Sequence, residues 1–566
     1  MLDRFLGGYV TASPTAPTQT SAQGVWELEQ QASAQVQNAW PLPPNVIQRS
    51  LRFNRADSAY LSRTPSTAGS RTTWTWSGWI KRSQLGIRNM FFAAGATGQQ
   101  AYIAFESDDT LQFIEWQSSV LGSRVTSAVY RDVSAWYHVV AVFDTSSGTP
   151  GNRMMLYVNG TQVTAFSSST NPSPSLAGSI NNTIPHALGR EELFDTDYLA
   201  AYMTEINFVD GQALTPSSFG ETDPQTGVWI PKVYTGTYGT NGFRLRFNNN
   251  SSTTALGYDT SGNGNNWTPN NFSVTAGSGN DSMLDVPSLY GTDTGLGGEV
   301  RGNYATFNPL SNPGNSTLTN GNLDVSTPNS TAGRVLSTIA PSSGKWYCEF
   351  TVTNVGAGFR TGVVLNSFNN GDIIGKYSTE YGYGSDGNKY NNDVGTAYGA
   401  SFTTNDIIGI ALDLDAGTVS FYKNGVNQGV AYTGLSGSYA FGVCDITGAS
   451  GISSIANFGQ RPFAYTAPSG FKALCTTNLS ASGTVTTSGT FTGNASTDGP
   501  FIYLNGIPTA MTINGNAVTF GTQADKLSNG FKVRSSSSSY NTSGSNTYSV
   551  STTGAIFRYS NAQGNP

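Results

Sequence analysis

Charged side chains are scarce in this 566-residue chain, and their scarcity excludes several classes of function. Lys and Arg number 29 and Asp and Glu 35, so the net charge is −6 and charged residues make up only 11% of the sequence. With an isoelectric point near 5.1 and no basic stripe, binding of nucleic acid through its phosphates is not expected.

Long hydrophobic runs are also missing. No apolar run approaches the roughly 18 to 20 residues that span a bilayer, so no membrane span is predicted. The start, MLDRFLGGYV, carries Asp3 and lacks the sustained apolar region of a secretory signal. We therefore expect the protein to be assembled in the cytoplasm of the cell that makes it.

Cysteine and histidine are rare. Cys348, Cys444 and Cys475 are an odd number, and they are predicted to be buried, reduced thiols, because no CxxC motif or nearby histidine indicates a metal site. Neither His138 nor His186 stands beside a Ser or Cys nucleophile in a recognisable motif. We predict no enzymatic activity, no metal and no cofactor.

Glycine and aromatic residues are abundant instead. Gly counts 66, aromatics make up 12%, and Ser, Thr and Asn crowd the connecting segments. This composition is typical of many short strands joined by tight turns. The predicted fold class is all-β, with several β-sandwich domains; the length alone favours about three to four domains.

The clearest local pattern is a hairpin between Phe402 and Val430. Apolar residues fall on one face at the two-residue period of a strand: Ile408, Ile410, Leu412 and Leu414. A turn follows at Asp415-Ala416-Gly417. A second strand ends at Asn424-Gly425, whose residues tolerate the positive φ of a two-residue turn.

The motifs around this hairpin resemble those of a SPRY domain. They are GKWYCEF (Gly344–Phe350), NFGQRPFAY (Asn457–Tyr465) and PSGFKAL (Pro468–Leu474), and the resemblance covers residues 330–475. It implies a two-sheet binding module whose variable loops hold a partner and which carries no catalytic machinery.

A second resemblance covers residues 47–250. The ordered motifs are SLRFNRADSAYLSR, TWTWSGWIKR, WYHVVAVFD, MMLYVNGTQV and EINFVDGQALTPSSFG. Their order resembles a laminin-G-like, concanavalin-type jelly roll, in which the last element returns beside the first strand. The family's loops bind sugars, proteins and sometimes calcium, so the resemblance implies a fold without naming a ligand.

The jelly roll raises one enzymatic alternative. Laminarinase-like glycosidases share this fold and carry two catalytic acids in E-[I/L]-D-x-x-E on one strand; here the nearest stretch has Glu205, Asn207 and Asp210. Asn207 replaces the middle acid, Asp210 is shorter than the required glutamate, and it would reach the face of Glu205 only through a bulge. A polysaccharide depolymerase is therefore a distant alternative.

Three further segments complete the domain organisation. Residues 1–46 are predicted to be a docking arm: Pro-rich stretches flank a short helix whose apolar residues are Trp26, Leu28, Val36 and Trp40. A lone helix of this length is marginal in water, so either a partner or the chain's own globular part must hold it. Residues 251–329 read as a polar linker, where Asp259 and Asn263 offer oxygen ligands for calcium but also suit simple Asx turns. Residues 476–566 are predicted to form a small C-terminal β module.

The order of these modules resembles structural proteins of marine, cyanophage-like tailed phages. The resemblance also includes DGPFIYLNG and LSNGFKVRSSSSSYNTSG in the terminal module. It implies a virion protein, a tail fibre or appendage that docks through residues 1–46 and contacts a host glycan or protein. A capsid decoration or head-fibre protein is the alternative. A homo-oligomer, such as a trimer, is expected.

The candidate ligand-binding residues lie in YGYGSDGNKYNND, taken as one loop of the SPRY-like domain. Rings that can stack on sugar C–H surfaces and groups that can bind hydroxyls stand close together here: Tyr381, Tyr383, Asp386, Asn388 and Tyr390. The alternative is that these tyrosines cover the edge of the sandwich or pack against another subunit.

Overall fold

The computed structural model describes residues 46–479 except 224–226, 313–315, 329–332, 367–371 and 447–449, and beyond residue 479 only the backbone of strands. Strands and single 3-10 turns are the regular structure of these residues, which confirms the all-β fold class. None of the helical turns in this part of the chain is long and apolar enough to cross a membrane. The 3-10 turns are Arg55–Asp57, Pro150–Arg153, Pro216–Ser218, Thr254–Gly257, Pro309–Ser311 and Thr476–Asn478.

Eighteen strands are described before residue 284, and most of them form a two-sheet jelly roll. They are β1 (Ser50–Phe53), β2 (Tyr60–Arg63), β3 (Thr73–Arg82), β4 (Asn89–Ala96), β5 (Gln99–Phe105), β6 (Thr110–Gln117), β7 (Val120–Val129), β8 (Tyr137–Asp144), β9 (Met154–Val158), β10 (Thr161–Gln162), β11 (Phe166–Thr170), β12 (His186–Leu188), β13 (Ala201–Asp210), β14 (Gly220–Thr222), β15 (Trp229–Pro231), β16 (Phe243–Leu245), β17 (Thr268–Asn270) and β18 (Ser282–Met283). One sheet has the order β10-β9-β8-β3-β13-β1-β18, with β16 also on β13; the other has β11-β7-β6-β5-β4-β12-β2-β17. β14 pairs with β15 separately.

Alternating residues of β3 explain how the jelly roll is held together. Trp74 and Trp76 point into the core between the sheets and are at most 1% exposed. Thr75, which lies between them, faces the other side of the sheet, where Val140, Val209 and their neighbours form a second buried cluster. The strand at Thr73–Arg82 and the return of β13 beside β1 agree with the predicted jelly roll.

The SPRY-like sandwich follows. Its strands are β19 (Thr317–Thr319), β20 (Asp324–Ser326), β21 (Gly333–Leu336), β22 (Lys345–Asn354), β23 (Phe359–Leu365), β24 (Glu380–Gly384), β25 (Asn388–Asn391), β26 (Val394–Ala397), β27 (Ile407–Asp413), β28 (Thr418–Lys423), β29 (Val426–Thr433), β30 (Tyr439–Asp445), β31 (Ser453–Asn457) and β32 (Lys472–Ala473). One sheet has the order β19-β20-β31-β22-β27-β28-β29, with β32 also on β22, and the other has β21-β30-β23-β24-β25-β26.

The predicted hairpin is confirmed. Ile408, Ile410 and Leu412 in β27 are 0% exposed, and Ile410 lies opposite Phe421 of β28. Asn424 and Gly425 both have positive φ, 48° and 78°, as the two-residue turn requires.

Residues 251–329, predicted as a polar linker, contribute strands to both sandwiches. β17 pairs with β2 and β18 with β1 in the jelly roll. β19 and β20 extend the SPRY-like sheet through β31. The short polar pieces of this segment are stabilised by sheet partners far away in sequence, which local composition does not reveal.

Seven strands are described after residue 479. They are β33 (Val485–Thr492), β34 (Phe501–Tyr503), β35 (Ile507–Ile513), β36 (Asn516–Ala517), β37 (Ala524–Leu527), β38 (Gly530–Val533) and β39 (Ser545–Thr553). They form two sheets, β33-β39-β35-β36 and β34-β38-β37. Contacts divide the chain into two compact units: the two sandwiches, up to Glu221 and from Pro231 to Asn478, belong to one, and the C-terminal strands belong to the other with Thr222–Ile230.

A buried charged group joins the jelly roll to the segment that leads into the SPRY-like sandwich. The Lys81 ammonium on β3 lies 2.7 Å from Asp285 Oδ2, and the two side chains are 1% and 2% exposed. The same ammonium donates to Asn303 Oδ1 at 2.7 Å and to the Tyr304 carbonyl at 2.8 Å. Trp136 Nε1 donates to the other Asp285 oxygen at 3.1 Å. All three donors of the ammonium are therefore matched, as burial of a charge demands.

A second contact joins the jelly roll to the β19–β20 turn. Tyr202 donates from its hydroxyl to the Gly321 carbonyl at 2.7 Å, and Arg52 Nη1 donates to the Asn320 carbonyl at 3.2 Å. Gly321 has a φ of 69°, and a Cβ there would lie 2.1 Å from the Tyr202 hydroxyl oxygen. The close approach of the two sandwiches therefore requires glycine at this position.

We predict that Gly321→Ala weakens this joint. Gly86 is a matched control, because its φ of 72° is similar but a Cβ added there would meet no heavy atom within 4 Å. Both substitutions strain the backbone, and only Gly321→Ala adds overpacking, which costs about 1–3 kcal/mol more. Thermal unfolding would show a larger fall in Tm for Gly321→Ala; equal shifts for the two variants would contradict the steric role of this glycine.

The three cysteines and two histidines are buried. The thiols of Cys348, Cys444 and Cys475 are free and 0% exposed, as predicted. His186 Nε2 accepts from the Asn181 amide at 3.0 Å, so its proton resides on Nδ1 and is donated to the Ile184 carbonyl at 2.8 Å. Burial lowers the pKa of His186 to about 4 and that of His138 to about 3.

These histidines predict acid sensitivity of the unit that holds them. Below pH 6.5 the two histidines become protonated in the unfolded chain, whereas in the folded chain they stay neutral down to about pH 4 or below. The free energy of unfolding therefore decreases as the pH falls. Between pH 7 and 5 each histidine removes about 2 kcal/mol from the free energy of unfolding. Denaturant titrations at pH 7, 6 and 5 would measure this loss, and His186→Asn is expected to remove about 2 kcal/mol of it. An unchanged loss in the variant would assign the proton uptake to other groups.

Candidate functional site

The stretch from Tyr381 to Asp393, predicted as one loop, contains a hairpin of two strands, β24 and β25. Gly382 lies opposite Tyr390, and Tyr383 lies opposite Lys389. Residues directly opposite each other share a face of the sheet. Tyr381, Tyr383 and Lys389 therefore lie on one face and Tyr390 on the other, so the predicted tyrosines do not form one patch.

Tyr383 belongs to the core of the sandwich. It is 0% exposed, and its ring packs against Tyr398, Phe402 and Phe421 at centroid distances of 5.4, 5.1 and 5.3 Å. Its hydroxyl donates to the Ala400 carbonyl. This side chain is unavailable to an external ligand in the structure.

Tyr381 lies at the border of the sandwich, in a cluster that the sequence did not reveal. Its ring is 5.0 Å from Tyr432 and 6.0 Å from Tyr439. The Lys389 ammonium lies 4.9 Å from the Tyr432 ring and 5.8 Å from the Tyr398 ring, and it donates to the Ala431 carbonyl at 2.7 Å. We call the half-buried members Tyr381, Lys389, Tyr398 and Tyr432 the tyrosine edge.

Asp386, Asn388 and Tyr390 do come together. The Asp386 carboxylate accepts from the Tyr390 hydroxyl at 2.5 Å and from Asn388 Nδ2 at 2.8 Å. Burial would raise the pKa of this carboxyl, but the Tyr390 and Asn388 hydrogen bonds outweigh it and lower the pKa. The Arg360 guanidinium stands 3.4 Å from the centre of the Tyr390 ring and covers one of its faces.

Two exposed edge strands flank the tyrosine edge. β26 and β29 are the outermost strands of the two SPRY-like sheets, and Tyr398 bridges toward β29 by donating to the Gly429 carbonyl at 2.5 Å. Val394, Val426 and Val430 on these strands are 58%, 64% and 57% exposed. Large apolar side chains so exposed, beside half-buried rings and an ammonium, are suited to holding a partner.

The predicted docking residues Trp26, Leu28, Val36 and Trp40 lie outside the described residues. Their role in attachment stays a prediction, as do the domain limits at residues 46, 250, 329 and 475.

Glu205, the first acid of the glycosidase-like stretch, is held in an ion pair. The register of β13 on β3 shifts between Thr204 and Asn207, and Glu205 has a φ of 48° at this bulge. Its side chain is 5% exposed, is hydrogen-bonded to Arg244, and lies 3.8 Å from Arg246 Nε. Two guanidiniums thus compensate this buried carboxylate.

Asp210, the last acid of that stretch, has a different set of partners. Its Oδ1 accepts from the Ser70 amide at 2.8 Å and from Asn181 Nδ2 at 2.6 Å, and its Oδ2 accepts from the Asn241 amide at 3.0 Å. The side chain ties three connections of the jelly roll together. Its hydrogen bonds give it a structural role.

The possible calcium ligands of residues 251–329 organise their own loop. Asp259 accepts from the amides of Ser261 and Asn265 at 2.8 Å each, and Asn263 Nδ2 donates to the Gly239 carbonyl at 2.6 Å. The contact between Asp259 and Ser261 is an Asx turn, whereas Asn263 ties the loop to the distant Gly239. In the described ranges, no group of three or more His, Cys, Asp or Glu side chains is arranged to hold a metal ion.

Comparisons with known proteins support the two sandwich assignments. Residues 55–218 match the family model described as the concanavalin A-like lectin/glucanases superfamily, and residues 345–461 match the SPRY domain model. The chain therefore contains a laminin-G-like domain and a SPRY domain.

Curated relatives match over a stretch of SPRY-domain length. The Ran-binding proteins 9/10 homolog of Drosophila melanogaster is 33% identical over 131 residues, which are 22% of this chain and 13% of the relative. The ATP-dependent RNA helicase Ddx1 of Drosophila melanogaster is 35% identical over 135 residues, 23% of this chain and 18% of the relative. Ran-binding protein 10 of Danio rerio is 33% identical over 131 residues, which are 22% of this chain and 21% of the relative. The chain thus spans less than a quarter of the length of these relatives.

Solved structures with a similar fold include two SPRY domains. The SPRY domain of human HERC1 is 22% identical and has a TM-score of 0.24, covering 26% of this chain and 96% of that one. The TRIM65 PSpry domain is 17% identical and has a TM-score of 0.23, and the match covers 27% of this chain and 91% of that one.

We predict that Glu205→Gln is a stability variant. Removing the charge leaves Arg244 buried without its partner, which costs about 3–5 kcal/mol. Glu221→Gln is the control, since the Glu221–Lys232 pair is 3.9 Å long and half exposed, and its loss costs about 0–1 kcal/mol. Denaturant unfolding compares the two; a Glu205→Gln protein as stable as the control would contradict the structural role.

Proposed function

We propose that this chain is a non-enzymatic adhesion protein whose SPRY domain contacts a glycan through the tyrosine edge. The observation that supports this is the pairing of the half-buried Tyr381 and Tyr432 rings with the Lys389 ammonium, next to the exposed edge strands β26 and β29. Aromatic faces bind the C–H surfaces of sugars, and ammonium and amide groups bind their hydroxyls.

The contacts of Glu205 and Asp210 favour a binding protein over a glycosidase. Retaining glycoside hydrolysis uses two carboxyls about 5 Å apart with separated pKa values. Glu205 is instead compensated by arginines, and Asp210 is enclosed by hydrogen bonds from three connections. Neither carboxyl is placed as an exposed acid or nucleophile, since they are 4% and 7% exposed.

The proposed setting is the virion of a tailed phage, assembled in the host cytoplasm. The support for this is the order of the modules and the sequence motifs of the terminal module; the curated relatives are eukaryotic and bear on the SPRY domain alone. The chain would dock through residues 1–46 as a homo-oligomeric tail fibre or appendage. Many copies on one particle would convert weak single-site binding into avidity.

Tyr432→Ala tests the tyrosine edge. Loss of one ring from a sugar-stacking surface is expected to weaken binding of the purified full chain to host cells or a glycan array by about 2- to 10-fold, since a ring contact contributes about 0.5–1.5 kcal/mol. Tyr258→Ala is the matched control, because Tyr258 is 45% exposed and lies outside the SPRY domain. Equal binding by both variants and the wild type would contradict the proposed site.

Immunogold labelling of purified virions tests the setting. An antibody against residues 330–475 is expected to label the tail, and deletion of residues 1–45 is expected to abolish incorporation while leaving a folded protein. Label over the head would instead identify a capsid decoration protein, and unlabelled particles would overturn the virion assignment.

A further inference from the structure

A cleft of about 610 Å³ lies between the jelly roll and the SPRY domain. The jelly roll contributes Arg49, which directly precedes β1, and Ser282, which lies on the outermost strand β18. The SPRY domain contributes Glu349, Asn457, Gln460 and Arg461. Cavities that bind small ligands are commonly about 300–1,000 Å³, so the cleft is large enough for one or two sugar units.

The floor of the cleft is the outer face of β22 and β31. Glu349 pairs with Asn457 and Thr351 with Ile455 across these strands, so the four side chains share one face. The alternating residues Phe350 and Ala456 point into the sandwich core and are 0% exposed. The floor therefore combines polar groups with the apolar surface of Ile455.

The two arginines that line the cleft have more N–H donors than acceptors to receive them. Within the described part of the chain, Arg49 Nη1 donates only to Ser282, at 3.3 Å to its carbonyl and 3.4 Å to its hydroxyl. Arg461 Nη2 donates to the Ala456 carbonyl at 2.8 Å. Neither guanidinium has a carboxylate within 4.0 Å among the described residues. A guanidinium carries five donors, so most of them are left for a ligand.

Gln460 supplies a second, independent indication. Its side chain is 3% exposed, and its Oε1 accepts from the Phe458 amide at 2.9 Å. Its Nε2 has no acceptor in the part of the chain that the structure describes. A buried amide donor without a partner costs free energy unless a ligand or solvent oxygen accepts from it.

The acids near the cleft do not neutralise it. The Glu349 carboxylate already accepts from the amides of Ala464 and Tyr465 at 2.7 and 2.9 Å. Asp324, on the neighbouring strand, accepts from Asn320 Nδ2 at 3.2 Å. Burial raises the pKa of both carboxyls, and the nearby Arg461 charge opposes that rise.

We propose that this cleft binds a carboxylate-bearing sugar unit. The two guanidiniums and the Gln460 amide would hold the carboxylate and neighbouring hydroxyls, since charge-assisted bonds from arginine to carboxylate are among the stronger hydrogen bonds. The apolar surface of Leu284, Ile455 and Pro462 would contact the C–H face of the ring. This inference depends neither on the virion setting nor on the tyrosine edge.

The test is calorimetric titration of the full chain with methyl glucuronide, methyl glucoside and glucose 6-phosphate. Methyl glucuronide is expected to bind at least about 10-fold more tightly than methyl glucoside, because a hydrogen bond to a charged group contributes about 1.5–3 kcal/mol. Arg49→Gln and Arg461→Gln should each lose about 10-fold in affinity. Arg88→Gln is the matched control, since its side chain is 40% exposed and lies in ion pairs of the jelly roll.

Three results would overturn the proposal: no binding of the glucuronide, equal binding of the neutral glucoside, or binding unchanged in both cleft variants. Equal binding of glucose 6-phosphate would overturn the choice of a sugar acid in favour of a general anion site. Among the described residues Arg49 makes only two hydrogen bonds, both long, so Arg49→Gln keeps the test valid if Arg461→Gln fails to fold.

Discussion

The ammonium of Lys81 is the constraint on which the arrangement of the two sandwiches depends. A buried charge is tolerated only when its partners are all in place, and here the partners come from outside the strand that carries it. Asp285, Asn303 and Tyr304 belong to the segment that leaves the jelly roll, and they must return to β3 to match the three donors. The path of the chain between the sandwiches is thereby fixed, and the cleft beside it follows from that path.

Ionisable groups are few in this chain, and many of them are internal. Arg82 pairs with Asp109, Arg334 with Glu380 and Arg244 with Glu205, each with little exposure. Buried pairs of this kind add little net stability over apolar side chains, but each is costly to break. The surface is left to hydroxyl, amide and aromatic groups, which suits contact with uncharged or weakly charged partners. Among the described residues, the two arginines of the cleft have no carboxylate within 4.0 Å.

Local patterns were enough to predict the hairpin of the SPRY domain, and the order of the motifs was enough to indicate both sandwich families. The alternation of Ile408, Ile410 and Leu412 and the turn at Asn424-Gly425 require no distant contact, and the structure confirms them. The polar surroundings of Tyr381 and Tyr383 indicated a loop, whereas both residues lie in β24. The tyrosine edge could not be predicted, because Tyr432 reaches Tyr381 from another strand across the sandwich. The buried pair of Lys81 and Asp285 could not be predicted either. Lys81 lies near the end of β3, whose sequence gives no sign of a buried partner more than 200 residues away.

The sharing of residues 251–329 between the sandwiches has a consequence for the inheritance of this protein. Modules that are joined by a simple tether can be exchanged between genes as cassettes. Here a recombination point at residue 330 would remove β19 and β20 from the SPRY sheet and leave β18 behind as the outer strand of the jelly roll. The two sandwiches and the segment between them are therefore expected to pass from one genome to another as a single block.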